Sequence, residues 1–390
     1  MQSIMSAFTL PATPFVFSPT SLYARLLTLT DERDPRGVRY PLAALLTIAT
    51  LALLAEQNGV RAVAEWAKLR APMLADLFAL ARPTMPHPTT WSRVLGSAVD
   101  PAQFAQVVAD FLLADRTMPS ARGQVALCLD GKTLRGTIPA GQCHGVHLLA
   151  AYLPGQGVTL VEVAVGDKEN EIVVARDVLA QVAQPGVVVT GDAMFAQHDL
   201  SRQVRDAGAD YIWAIKKNQP EAHAAIALLF TQPPTPIPSD SRAVAHTVET
   251  GHGRYEERTL TASTLLNDYL RWPAVAQVFQ VQRRTRVTGY GWREHTVYGV
   301  TSLPPAVADA DRLLALTRGH WGIENGLFHR RDVTLGEDHS LVRCGHAPQI
   351  LASLHDLVLG LLAQAAQSNA ATARRFYAAF PACALALLTS

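Results

Sequence analysis

Val125-Ala-Leu-Cys-Leu129-Asp130-Gly131 is a short apolar run that stops at an acid and a glycine, and Gly186-Val-Val-Val-Thr190-Gly191-Asp192 repeats the pattern. Runs this short, closed by turn residues, read as buried strands rather than helices. Between them lie two more strand-like runs, 146–153 and 158–165, joined by Pro154-Gly-Gln-Gly157, and a helical stretch over 171–182. A helix over 196–207 and a strand over 210–215 follow. The first three strands form a meander, and the later alternation of strand and helix extends the sheet in parallel. Asp130 and Asp192 then stand at the carboxyl ends of two strands of one sheet, where open α/β sheets place ligands and reacting groups. The plain alternative for each is a turn aspartate.

Outward from this segment the texture changes. Residues 1–120 read as helical: Asp34-Pro-Arg-Gly37 is a turn, Pro41 suits the first turn of a helix, and 40–55 is a continuous apolar run. That run, about 16 residues with two threonines, falls short of the ~20 needed to span a bilayer and reads as a buried helix. Pro83, Pro86 and Pro88 break the pattern before an amphipathic helix over 101–113. On the other side, 231–240 holds four prolines and is a loop, and 243–303 is β-rich, with strand-like runs at 247–248, 278–281 and 296–300. Helices resume over 309–329 and 350–363. The expected organisation is a helical segment 1–120, the first part of an α/β core 121–230, a β-rich insertion 231–304, and a helical completion 305–390.

With 390 residues there is chain for two or three domains, or for one large domain with an insertion. Apolar residues make up 49% and charged residues 17%, too apolar for disorder and too interrupted for a polytopic membrane protein. The 34 basic residues balance 33 acids, so no global field favours a polyanion. Only Lys68, Lys132, Lys168, Lys216 and Lys217 are lysines; GC-rich coding and fork-shaped phosphate binding are the two explanations. Four scattered cysteines without a CxxC pair argue against a zinc ribbon and a disulfide framework. They fit a reducing cytoplasm, as does the lack of a basic residue before Arg25.

Two aspartates alone do not hold divalent metal, because Mg²⁺ takes several hard oxygen ligands. Glu324 is the best third acid, in Arg318-Gly-His-Trp-Gly-Ile-Glu324-Asn325. Helical spacing there groups His320, Glu324, Asn325, Phe328 and Arg331. A solvated helix face is the alternative, and Gly322 speaks against it, since glycine costs an exposed helix about 1 kcal/mol relative to alanine. His144 and His147 lack partners for a tetrahedral site and read as strand-end histidines. Cys128 lies on a buried strand and is not a nucleophile. Arg283, Arg284 and Arg286 with Tyr290 and Trp292 suit either a strand-gripping loop or a solvated hairpin. Trp321 either stacks a base or packs in the core.

Leu129-Asp130-Gly131-Lys132-Thr133-Leu134-Arg135-Gly136, Lys168-Glu169-Asn170-Glu171-Ile172, Asp192-Ala193-Met194, Ala214-Ile-Lys216-Lys-Asn218-Gln219, His252-Gly253-Arg254 and Arg318 through Asn325 with Asp332-Val-Thr-Leu-Gly-Glu337-Asp338 occur in this order. Together they resemble the ISAs1 family of bacterial transposases, which includes the H-repeat-associated proteins and belongs with the IS4-like DDE transposases. Asp34 through Gly37, Glu65-Trp66 and Pro88-Thr-Thr90-Trp91 resemble that family's N-terminal associated domain.

The resemblance implies a ribonuclease H-like α/β catalytic domain with a β-rich insertion, preceded by a helical N-terminal domain. It implies that Asp130, Asp192 and Glu324 hold two Mg²⁺ ions, for which Mn²⁺ can substitute. The intervals of three, four and seven around the last acid that such enzymes show fall here on Thr317, His320, Glu324 and Arg331. Thr317 stands where a tyrosine is usual, which leaves any hairpin-forming step without its residue. Lys132, Arg135, Lys216, Lys217, His320 and Arg331 are the expected contacts to DNA phosphate, and Glu337 and Asp338 the substitute acids if Glu324 fails. Glu169 and Glu171 favour a helix N-terminus or support the site. The implied activity is two-metal phosphoryl transfer on double-stranded DNA by a homodimer, cytoplasmic and nucleoid-associated. A non-catalytic DNA-binding descendant and a nuclease without strand transfer are the competing readings.

Overall fold

The computed structural model describes residues 18–114, 124–166, 169–235, 241–251, 253–287 and 289–389. Lys168 and His252 of the quoted motifs, residues 236–240 of the proline-rich loop and the expected boundary at 120/121 lie outside the described residues.

Among the described residues six α-helices come first: α1 (Leu22–Leu26), α2 (Leu42–Leu54), α3 (Val60–Leu69), α4 (Ala71–Leu77), α5 (Pro88–Ser97) and α6 (Pro101–Leu113). Every residue of α2 is buried, as an all-apolar helix requires. Prolines start α5 and α6, and at α6 the Asp100 carboxylate caps by accepting from the Gln103 N–H. Then come β1 (Val125–Thr133), β2 (His147–Leu153), β3 (Val158–Val165), α7 (Glu171–Val182), β4 (Val187–Gly191), α8 (His198–Asp206), β5 (Asp210–Ile215) and α9 (Pro220–Thr231). The β-rich segment forms β6 (Arg242–Gly251), β7 (Arg254–Ser263), β8 (Gln277–Val287) and β9 (Trp292–Thr301). The chain ends in α10 (Ala310–Gly319), a π-helical turn over Ile323–Phe328, α11 (His329–Val333), α12 (Ala347–Gln364), α13 (Ala370–Ala379) and α14 (Pro381–Thr389).

The nine strands among the described residues make one mixed sheet in the order β3-β2-β1-β4-β5-β9-β8-β7-β6. The meander is antiparallel, and β4 and β5 continue it in parallel, as the alternation predicts. The β-rich segment joins the core sheet: β9 pairs with β5 from Ile212↔Thr301 to Ile215↔Tyr298, so the four strands lengthen the same sheet. The strand β7 is an addition to the sequence reading. Its first half, Arg-Tyr-Glu-Glu-Arg, shows no apolar alternation, and cross-strand pairing supplies what propensity does not.

Alternate strand residues feed two cores. Leu127, Leu129, Leu149, Ala151, Val189 and Trp213 pack under α7, α8 and α9. Cys128, Ala150 and Tyr152 face the other way, into a core that α2, α5 and α6 share with α12. The helices from the two ends of the chain therefore bury one another. On this second face α10 lies over the lengthened sheet, with Leu313, Leu314 and Leu316 on Val188, Ile212, Leu260 and Phe279. That contact delivers the π-helical turn to the edge of β1. No helix among the described residues is long and apolar enough to cross a membrane.

Candidate active site

The register of β1 on β4 ends with Leu129 opposite Gly191. Asp130 and Asp192 are each the next residue, so positions 62 apart in sequence come to adjacent strands; Asp192 follows the end of β4, whereas Asp130 lies within β1, which runs on to Thr133 along β2 and not, as expected, to a strand end at Asp130. Two glycines make room there. A Cβ on Gly191 would lie 2.8 Å from the Trp213 ring, and one on Gly131 would lie 2.5 Å from Oε2 of Glu171 and 2.7 Å from Nε2 of His147. Glu171, the first residue of α7, is thus brought against the Asp130 edge, held by His147 Nε2 at 2.8 Å. His147 bonds Thr133 through its other nitrogen and is a strand-end histidine, as read.

Glu324 comes from the π-helical turn, an element frequent at functional sites. Gly322 is accounted for by close packing: a Cβ there would lie 2.6 Å from Pro154. The Cys128 thiol, pushed up to about 12 by burial, reaches the Gly319 carbonyl at 3.4 Å and takes no part as a nucleophile. His320 bonds the Thr190 hydroxyl at 3.1 Å, tying the helix to β4 two residues before Asp192.

Asp130, Asp192 and Glu324 line one cavity of about 300 Å³, together with Thr190, Lys216, Arg258, Arg283, Thr317, Arg318, His320 and Trp321. Its floor is apolar, with Ile212, Phe279 and Val281. Burial, and after it the facing carboxylates of Glu324, Glu171 and Asp192, push the Asp130 carboxyl up to about 7. Asp192 behaves oppositely. Burial raises it, but Lys216, with Nζ 2.9 and 3.1 Å from its two oxygens, and the Ala193 N–H outweigh that and hold it below the usual range. Burial lowers the His320 imidazole, which leaves it neutral near pH 7.

Among the described residues no three His, Cys, Asp or Glu side chains converge tightly enough to hold a metal ion as they stand. The donor set nevertheless fits a hard divalent cation. It is all carboxylate oxygen, and Asp130 is raised in part by its acidic neighbours, a repulsion that a cation would relieve.

Four expected residues depart from their assigned roles. Arg331 is fully buried among Glu162, Glu337 and Asp356, and cannot reach DNA phosphate. Lys132 is buried too, its Nζ 2.6 Å from Asp332 and 3.5 Å from Asp338. Its charge is spent inside the protein. The substitute acids Glu337 and Asp338 lie in these pairings and not in the cavity. Arg135 is exposed, 3.6 Å from Asp338, and Lys217 is exposed outside the cavity wall. Sequence reading passed over Thr190, which immediately precedes Gly191-Asp192, and Arg258, whose polar strand carries no apolar alternation.

Residues 121–357 match the family described as Transposase DDE domain, and residues 23–112 match the one described as DDE_Tnp_1-associated. The chain belongs to the DDE transposase family, as its ordered motifs indicate. Among curated proteins it is similar to the "H repeat-associated putative transposase YhhI" of Escherichia coli (strain K12), 22% identical over 347 residues, covering 87% of this chain and 90% of that one. It is also similar to the "Putative transposase YncI" of Escherichia coli O157:H7, 26% identical over 354 residues, covering 88% and 87%. A looser likeness, TM-score 0.43 at 10% identity over 94% of this chain and 77% of the other, is to piggyBac transposase in a synaptic complex with hairpin DNA.

Proposed function

We propose that the chain is an active transposase that cuts the ends of an insertion sequence and joins them to target DNA, with Asp130, Asp192 and Glu324 as its reacting-site acids. The observation that carries this reading is the β1–β4 register, which sets the two aspartates side by side under the turn that bears Glu324. The meander followed by parallel strands supports a ribonuclease H-like core. The three carboxylates would hold two Mg²⁺ ions, or Mn²⁺ in their place. When bound, such ions supply activation of an attacking water or 3′-hydroxyl and neutralise the leaving oxygen.

The protein's own contribution is positioning. The body of β1 fixes Asp130 and the end of β4 fixes Asp192, the His320–Thr190 bond anchors the helix that presents Glu324, and the apolar floor limits water. Lys216 lies within reach of both Asp192 and an incoming phosphate. Arg135, Lys217 and a neutral His320 are the remaining phosphate contacts. Two element ends call for two copies of the chain, acting on DNA in the cytoplasm.

The test is Mg²⁺-dependent cleavage and joining, by wild type and Asp192→Asn, of a duplex carrying the ends of the element, taken from whatever inverted repeats the DNA flanking the gene contains. Loss of both steps in the variant is expected. Equal activity of the two proteins would sink the site. Nicking without joined product would make the protein a nuclease, and binding without cleavage a non-catalytic descendant.

A further inference from the structure

The cations that line the cavity differ in how they are neutralised. Lys216 pairs with Asp192, Arg318 with Glu249, and Arg258 with Glu256 and Glu249. Arg283 has no carboxylate partner among the described residues, and its Nε is buried with no acceptor. The sheet register makes this more costly. Arg258 sits directly opposite Arg283, and Arg283 directly opposite His295, so two guanidinium groups face each other on neighbouring strands. Like charges in that relation destabilise a sheet.

Trp321 offsets part of the cost. Its ring lies 4.4 Å from the Arg283 guanidinium and 5.0 Å from that of Arg258, a favourable cation–π arrangement. The ring is therefore already engaged by two arginines and is not free to stack a base. Trp321 stands three residues before Glu324, and both line the same cavity. A partly buried guanidinium without a carboxylate partner among the described residues is thus held beside a set of carboxylates that would repel a DNA backbone.

We propose that Arg283 is a substrate-positioning residue that binds a backbone phosphate of the DNA strand entering the cavity, and that Trp321 holds its guanidinium in place. This rests on the transposase reading above and extends it to a residue outside the family motifs, which the sequence left open between a strand-gripping loop and a solvated hairpin.

The test is equilibrium binding of the same end-bearing duplex to the full chain across a salt series in metal-free buffer. One lost phosphate contact flattens the dependence of log K on log salt by about 0.9. That change is expected for Arg283→Gln and not for Arg202→Gln on α8, which lies on the opposite face of the sheet. Arg283→Lys, which keeps the charge but loses the planar fork, should retain the slope and bind several-fold more weakly. Trp321→Leu should weaken binding to the same degree. Thermal unfolding of each variant identifies any that fail to fold, and the lysine variant then carries the test. A wild-type slope in Arg283→Gln, or wild-type affinity in both Arg283→Lys and Trp321→Leu, would overturn the assignment. A wild-type chain that binds no end-bearing duplex would instead overturn the reading beneath it.

Discussion

Glu324 and Arg331 lie seven residues apart on one helical run, yet they belong to opposite kinds of charge cluster. Around Arg331 the carboxylates close on an internal cation: Glu162 at 2.6 Å, Glu337 at 2.9 Å and Asp356 at 3.1 Å, with His355 2.9 Å from Glu337. Burial would raise Glu337, but Arg331 and His355 hold it down at about 2. Glu162 and Asp356 are pushed up by the same burial, which outweighs their shares of the one guanidinium. Around Glu324 the acids face a cavity, and of Asp130, Asp192 and Glu324 only Asp192 has a lysine or arginine at hydrogen-bond distance among the described residues. Where charge holds the fold together, the chain supplies the counterion itself. Where carboxylates are left to repel one another, the counterion would have to come from outside.

The largest expected effect breaks the closed cluster. Arg331→Met would leave three carboxylates buried together, and removing one partner of a buried ion set costs about 3–5 kcal/mol. Urea or thermal unfolding should show it, with part of the loss recovered when Glu162→Leu is added. Asp192→Asn also removes one charge, from the open set, and should leave stability within about 1 kcal/mol while abolishing cleavage. An Arg331→Met protein as stable as wild type would remove the distinction between the clusters.

A second effect is a pH dependence that metal should erase. The Asp130 carboxyl is raised to about 7 in the folded protein, against about 4 unfolded. The folded state then binds a proton that the unfolded state releases. The contribution is fully present below about pH 4 and is lost as pH rises through 7. Melting temperature of the metal-free protein should fall over that window, and Asp130→Asn should flatten the curve by its share. Glu162 contributes with the same sign in both proteins, so the difference between them isolates Asp130. Mg²⁺ should raise the wild-type melting temperature near pH 7.5 more than that of Asp130→Asn, since a ligand of the folded state stabilises it. Identical pH curves would detach Asp130 from the open set.

Much of this contrast was legible in the residues, and some was not, for a physical reason. Asp130 and Asp192 could be found because each ends a short apolar run, and the parallel register follows from local strand order. Arg331 could not, because its partners come from β3, the 337 turn and α12, and no local pattern joins Glu162, Glu337 and Asp356 to it. Lys132 misled for the same reason. It follows an Asp-Gly that belongs to the site, while its own side chain points to Asp332, 200 residues away. The joining of β5 to β9 was hidden in the same way, since the pairing crosses more than 80 residues. The π-helical turn left only Gly322 and Gly326 as signals.

The smallest expected effect sharpens the comparison most. Lys216 and Asp192 form an ion pair in good geometry, but their side chains are 59% and 50% exposed. Arg331 and Glu337 form a similar pair at 0% and 3%. Pairs open to solvent are worth about 0–1 kcal/mol, because water screens the attraction and the long side chain loses rotamer entropy. Lys216→Met should therefore shift unfolding by less than about 1 kcal/mol, several-fold less than Arg331→Met. It should also lower the Mg²⁺ concentration that gives half the thermal shift, because Asp192 would no longer spend its oxygens on an internal cation. A Lys216→Met protein that loses stability on the scale of Arg331→Met would mean that the cavity's charges are structural after all. A small loss with easier metal uptake would mark Lys216 as the cation that occupies Asp192 until another arrives.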